Sequence, residues 1–141
     1  MAHSTGASGE AVVVRRIRCP NCGKRLERLP PNYPLYDVQC TGCMFRAQVK
    51  TALHAPRATL PGAGWDVLSK VLKSGYMIPP LIVNYRWSKP AFEHQVIRFF
   101  PFIPKDNVSK YKLSRTARRA NYRMFTYVDL NTLPHFDLYS T

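Results

Sequence analysis

At 141 residues, 45% of them hydrophobic, the chain is long enough and apolar enough to bury a core of its own, which excludes a disordered polyelectrolyte. No apolar run approaches the roughly 18 residues of a membrane span, because AVVV ends at Arg15 and LIV ends at Asn84. Lys and Arg number 21 against 8 Asp and Glu, a formal charge of +13, so the expected partner is a polyanion, nucleic acid foremost.

MAHSTGASGE is small and polar, lacks the apolar stretch of a secretory signal, and reads as a flexible tail over 1–10. Residues 11–141 are expected to form one domain in the cytoplasm. VVVRRIR at 12–18 reads as a short strand and 23–34 as a basic, proline-containing loop. Residues 35–40 and 44–52 read as two strands joined by the tight turn Cys40-Thr41-Gly42-Cys43. In the second strand Phe45, Ala47 and Val49 alternate with Arg46, Gln48 and Lys50, which separates an apolar face from a polar one. Residues 53–63 carry Pro56, Pro61 and Gly62 and read as a loop. GWDVLSKVLKSG then fits a helix stopped at Gly75. PPLIVNYRW and HQVIRFFPFIP predict a hairpin turning near Ser88-Lys89-Pro90, with Trp65 and Trp87 as core residues. A basic connection follows over 105–123, then a last strand in MFTYVDLNTL and a short tail. The pattern is α+β around a mostly β core.

Four cysteines fall in two pairs, Cys19/Cys22 and Cys40/Cys43, giving C-x2-C-x17-C-x2-C within the stretch 19–43. In a chain with no evident secretory signal this spacing points to a tetrahedral zinc site rather than a disulfide framework. Four thiolates saturate the metal, so such a zinc is structural and supplies no reaction. The scattered His3, His54, His94 and His135 are assigned to no metal.

Asp37 precedes the second cysteine pair, and Gln48 and Lys50 follow it, two residues apart on one strand face. An oxygen ligand, an amide carbonyl and an ammonium at these positions form the grammar of a metal-dependent nuclease. Hard oxygen donors hold Mg²⁺ (Mn²⁺ as a substitute), and a lysine orients water or meets the charge that grows on a phosphate. Gln48 stands where a second acid is usual. Asp66 and Glu10 are the carboxylates available to restore the missing charge.

Taken together, RCPNCG at 18–23, Asp37, CTGC, Lys50, GAGWDVLSKVL at 62–72, IPK at 103–105, TARRA at 116–120 and VDLNTLP at 128–134 resemble the catalytic domain of the DpnI-like, Dam-replacing restriction endonucleases. That resemblance covers roughly residues 15–135. It implies an α+β restriction-endonuclease-like PD-(D/E)xK core: a mixed β-sheet with flanking helices and an inserted four-cysteine zinc site. It implies Mg²⁺-dependent cleavage of double-stranded DNA, directed by methyl-adenine in the best-known members. On it, Asp37 matches the first catalytic acid, Gln48 replaces the second and Lys50 matches the catalytic lysine. The alternative reading keeps the zinc and the basic surface as a DNA-binding module without catalysis. The RTARR stretch supplies Arg115, Arg118 and Arg119 as candidate phosphate contacts, with Arg46 beside the candidate site. No membrane and no small-molecule cofactor are expected.

Overall fold

The computed structural model describes residues 2–89, 92–110 and 124–141. They form two compact units. The first comprises Met1–Pro56, Pro79–Pro101 and Pro134–Thr141, and the second comprises Arg57–Ile78 and Phe102–Leu133.

In the first unit a helix, α1 (Ala2–Arg16), lies against a six-stranded mixed sheet ordered β1 (Leu26–Arg28), β2 (Val38–Cys40), β3 (Arg46–Ala52), β5 (Leu81–Lys89), β6 (Phe92–Phe100) and β9 (Phe136–Ser140). β3 and β5 pair in parallel, which requires a long crossover, while every other neighbouring pair in this sheet is antiparallel. The crossover contains β4 (Leu60–Ala63) and α2 (Trp65–Ser74), both in the second unit. There β4 joins β7 (Val108–Lys110) and β8 (Met124–Tyr127) in a three-stranded antiparallel sheet. α2 ends at Gly75, whose φ of 82° is the left-handed cap that glycine adopts without strain.

The core of the first unit gathers Val13 from α1 and Ile17 just past its end, Leu26, Val38, Ala47 and Val49 from β1–β3, and Ile82, Ile97 and Phe99 from β5 and β6. Cys19 and Cys40 are buried in the same cluster, so the cysteine pairs and the sheet share one interior. β5 is buried on both faces from Leu81 to Tyr85, as its continuous apolar run requires of a central strand.

Several expectations change. Residues 12–18 are mostly helical rather than extended, because Glu10, Val13, Val14 and Ile17 recur at helical spacing and Val13 and Ile17 find the sheet; burial outweighs the strand preference of three consecutive valines. The stretch expected as a tail supplies the first turns of that helix. The loops expected over 23–34 and 53–63 each contribute a strand, β1 and β4, and the C-terminal tail contributes β9 beside β6. These additions are strands of three to five residues, too short to show a period of two. The α2 helix, the β2–β3 pair and the β5–β6 hairpin lie where the sequence puts them.

Leu26 is 1% exposed beside the cysteine pairs, whereas Met44, one residue past Cys43, is 96% exposed. Leu26→Ala is expected to destabilise the protein by about 2–5 kcal/mol. Met44→Ser is expected to stay within about 0.5 kcal/mol of the wild type, both read by urea denaturation. Equal effects would show that the core does not run beneath the cysteines.

Candidate functional site

The site grows from the place where β2 and β3 separate. Val38 pairs with Ala47, and Asp37 still donates its N–H to the Ala47 carbonyl at 2.9 Å while its own carbonyl accepts from Leu29 N–H at 2.8 Å. Beyond that point β3 continues without β2 beside it. Val49 N–H would be left unsatisfied, and the Asp37 carboxylate takes it at 2.7 Å. The side chain therefore replaces a ladder partner, which fixes its position on both strands. On the other edge of β3, Gln48 N–H donates to Pro80 O at 2.9 Å and the parallel pairing with β5 begins.

Gln48 and Lys50 are half-buried and alternate with the buried Ala47 and Val49, so they occupy one face of β3. Lys50 is the electrostatic neighbour of both Asp37 and Glu10. Glu10, on α1, pairs with Arg28 of β1 at 3.5 Å and feels Asp37 and Lys50. The structure thus gathers Glu10, Asp37, Lys50 and Arg28, drawn from α1, the start of β2, β3 and β1. Of the two acids available to supplement Gln48, Glu10 is in this group. Asp66 lies in the first turn of α2, in the second unit.

Burial is the largest influence on each of the three titrating groups. It pushes the Asp37 carboxyl up from its ordinary range, opposed by the Val49 N–H, Lys50 and Arg28. It pushes Glu10 up as well, reinforced by Asp37 and opposed by Arg28 and Lys50. It pulls Lys50 down, against the two carboxylates. Two partly buried acids that repel one another, with a lysine that neighbours both, gather oxygen donors and opposed charge at this margin.

The four cysteine sulfurs lie within 4.8 Å of one another. Cys19 and Cys43 are 3.6 Å apart and Cys22 and Cys40 3.3 Å, near the separation of about 3.8 Å expected around a zinc with tetrahedral bonds. Backbone N–H groups of Asn21 and Gly42 point to the sulfurs of Cys19 and Cys40 at 3.4 and 3.3 Å, the bonds that a thiolate needs. The Asn21 side chain and the Phe45 N–H hold the Cys43 thiol down at about 6. At Cys22 the Lys24 N–H works downward, but Cys40 and desolvation carry the thiol up to about 12. This cluster can hold a metal ion, and its chemistry suits zinc.

Arg46 shares the Gln48 and Lys50 face. It donates to Tyr33 Oη at 3.0 Å and stacks over the Tyr33 and Tyr36 rings at 5.6 and 5.9 Å, an aromatic support that the sequence pattern did not reveal. Arg28 also went unnoticed, since a charged residue on a three-residue strand leaves no periodic trace. Arg115, Arg118 and Arg119 lie outside the described residues. Among the described residues, no helix is long and apolar enough to cross a membrane.

Comparison with known families matches residues 3–138 to the family described as DpnI, the Dam-replacing family. No curated protein matches the chain.

Asp37 and Glu10 hold their protons more tightly folded than unfolded, so just above the ordinary carboxylate range the folded state carries the extra protons. Stability then falls as pH rises through that range, and the deficit persists above it. Asp37→Asn, without added magnesium, is expected to lose its own share of that slope, keeping the part due to the buried Glu10, and to match or exceed wild-type stability at the neutral end. Urea midpoints taken between about pH 4 and pH 7 check this. A variant that loses the same amount at every pH would contradict it.

Proposed function

This chain belongs to the DpnI, Dam-replacing family, and from that premise we propose that it is a metal-dependent endonuclease hydrolysing phosphodiester bonds of double-stranded DNA. Membership implies a restriction-type nuclease in general. The finer reading is a PD-(D/E)xK site formed by Asp37, Gln48 and Lys50, with methyl-adenine direction as in the best-known members. The observation that carries it is the gathering of Glu10, Asp37 and Lys50 where β2 and β3 separate.

In this reading Asp37 and Glu10 supply two carboxylates to Mg²⁺, and Gln48 adds a neutral carbonyl oxygen. When bound, the cation supplies Lewis acidity toward the scissile phosphate. Asp37 enters the reaction already oriented, because the Val49 N–H holds Oδ2 in place. Lys50 sits where its N–H groups orient the attacking water and meet the negative charge that develops on the phosphate oxygens. Burial keeps this ammonium poorly hydrated, which strengthens its pull on that charge. Glu10 offsets the charge that Gln48 lacks, so the glutamine does not by itself remove the cation site.

Arg46, steadied on Tyr33 and Tyr36, serves as a phosphate contact beside the site. Arg115, Arg118 and Arg119 remain proposed contacts from their sequence pattern, and the +13 charge favours a DNA duplex as partner. Cys19, Cys22, Cys40 and Cys43 hold one structural zinc that fastens residues 19–22 to 40–43, consistent with their sulfur geometry. The neutral Gln48 favours a second reading, a DNA-binding module with little or no catalysis.

Incubation of methylated and unmethylated plasmid with Mg²⁺ or Mn²⁺ separates the two. Cleavage is expected, with Lys50→Ala slowing it about 10²–10³-fold and Gln48→Glu preserving or raising it. DNA retardation without cleavage under either metal would leave the binding module. Cleavage indifferent to Lys50→Ala would reject the assigned site.

A further inference from the structure

A basic cleft lies within the first unit, between the C-terminal half of α1 and the outer end of the β5–β6 hairpin. Its volume is about 530 Å³, and it contains none of Glu10, Asp37, Gln48 or Lys50, so the proposed reaction leaves it unused. Arg15, Arg16 and Arg86 line it against one carboxylate, Glu93. The hairpin register decides which side chains meet there. Ile82, Asn84, Arg86 and Ser88 alternate onto one face of β5, opposite Phe99, Ile97, Gln95 and Glu93 of β6. Ile82, Ile97 and Phe99 pack with Val13 of α1, so this is the face that α1 covers. Trp87, read from sequence as core, is part-exposed and belongs with Lys89 and His94 to the opposite face. The hairpin therefore offers this cleft no ring on which a base could stack.

The arginines come from two elements and converge without counter-ions. Arg16 lies over the Tyr139 ring, 4.8 Å from its centroid, and donates to the Tyr139 hydroxyl. Tyr139 sits opposite Ile97 on the same face. A guanidinium supported in this way is pre-organised and keeps donors for an oxyanion. Arg15 and Arg86 are exposed and make no ion pair among the described residues. An anion between them would relieve their mutual repulsion.

Neutral side chains complete the walls. Gln95, the cross-strand partner of Arg86, donates its Nε2 to Asn84 Oδ1 at 2.8 Å, and the wholly buried Asn84 fixes it from behind. Ser88 adds a hydroxyl two residues beyond Arg86, but Glu93 stands opposite it and repels an anion there, so attraction is strongest at the Arg86 end. Val12 and Leu53 give the cleft an apolar part, and Leu53 is 69% exposed. Cationic donors beside an apolar patch match a phosphate and the carbon face of a deoxyribose. The +13 charge and the family make DNA the polyanion at hand.

We propose that this cleft seats the sugar–phosphate backbone of DNA, with a phosphate among Arg15, Arg16 and Arg86 and the deoxyribose against Val12 and Leu53. This surface rests on the reading of DNA as the partner and does not depend on the roles given to Asp37 and Lys50. Backbone contacts carry no sequence information, so it is indifferent to methylation.

Fluorescence anisotropy of a labelled duplex, titrated with zinc-loaded protein and no added magnesium, tests this. Arg15→Glu and Arg86→Glu are each expected to weaken binding roughly tenfold or more. Each is also expected to reduce the slope of log affinity against log salt by about one. Lys89→Glu makes the same charge change on the same strand but on the opposite face, and is expected to cost less than about threefold at ~0.15 M salt. Arg86→Lys is expected to be intermediate. Arg15→Gln and Arg86→Gln, checked by circular dichroism, are expected to weaken binding in the same direction should either reversal fail to fold. Methylated and unmethylated duplexes are expected to lose affinity equally. Equal losses in Arg86→Glu and Lys89→Glu would mean a diffuse field and overturn the site. Losses confined to methylated DNA would also overturn it, as would displacement of the duplex by inorganic phosphate or polyglutamate at equal charge concentration. Plasmid cleavage with magnesium, compared between wild type and Lys50→Ala, reads the Asp37 site separately, so either can fail alone.

Discussion

The hydrogen bond from Val49 N–H to the Asp37 carboxylate, 2.7 Å long, stands where two strands stop pairing. A sheet can separate there only if some other acceptor takes the amide that the departing strand no longer serves. Supplying it from a carboxylate places a charge inside the sheet margin, and that placement governs the surrounding electrostatics. Burial disfavours the ionised acid, Lys50 and Arg28 favour it, and Glu10 opposes it. In the proposed reading, a residue that serves as a structural acceptor is thereby oriented as a ligand without a separate device.

The cysteine clip supports the same hairpin from its other end. Cys40 closes β2 and lies in the core with Val38 and Ala47, while Cys40 N–H donates to Phe45 O across the turn at 2.9 Å. Register between β2 and β3 decides which side Asp37 faces, and a slip of one residue would invert it. A metal holding the turn therefore bears on the candidate site although all four of its ligands are sulfur. Glu10 is positioned by a third element: Val13 and Ile17 bury α1 against the sheet, and this brings its acid to Arg28 and Asp37.

Much of this was legible in the chain, for physical reasons that differ by element. The cysteine spacing and the alternation from Phe45 to Lys50 are local signals, and both the sulfur cluster and the two-faced strand are present. The α2 helix announced itself through its periodic apolar residues and Gly75. By contrast, α1 looked extended because valine prefers strands, and only burial of one helical face reverses that preference. β1, β4 and β9 have too few residues for a pattern, so their pairing is decided by neighbours far along the chain. Glu10 could be named as a spare acid from sequence, but its approach to Arg28, Asp37 and Lys50 depends on packing between α1 and the sheet. Arg28, Tyr33 and Tyr36 were not singled out, because their roles arise from contacts across strands and loops rather than from spacing.

The central claim is that Glu10 and Asp37 together form a cation site that tolerates glutamine at position 48. Binding of Mn²⁺ followed by electron paramagnetic resonance, with zinc content measured on the same samples, tests it most directly. The account predicts one Mn²⁺ site in the wild type, weakened roughly tenfold or more in both Glu10→Gln and Asp37→Asn while zinc is retained. Glu10→Gln binding Mn²⁺ as tightly as the wild type would contradict it.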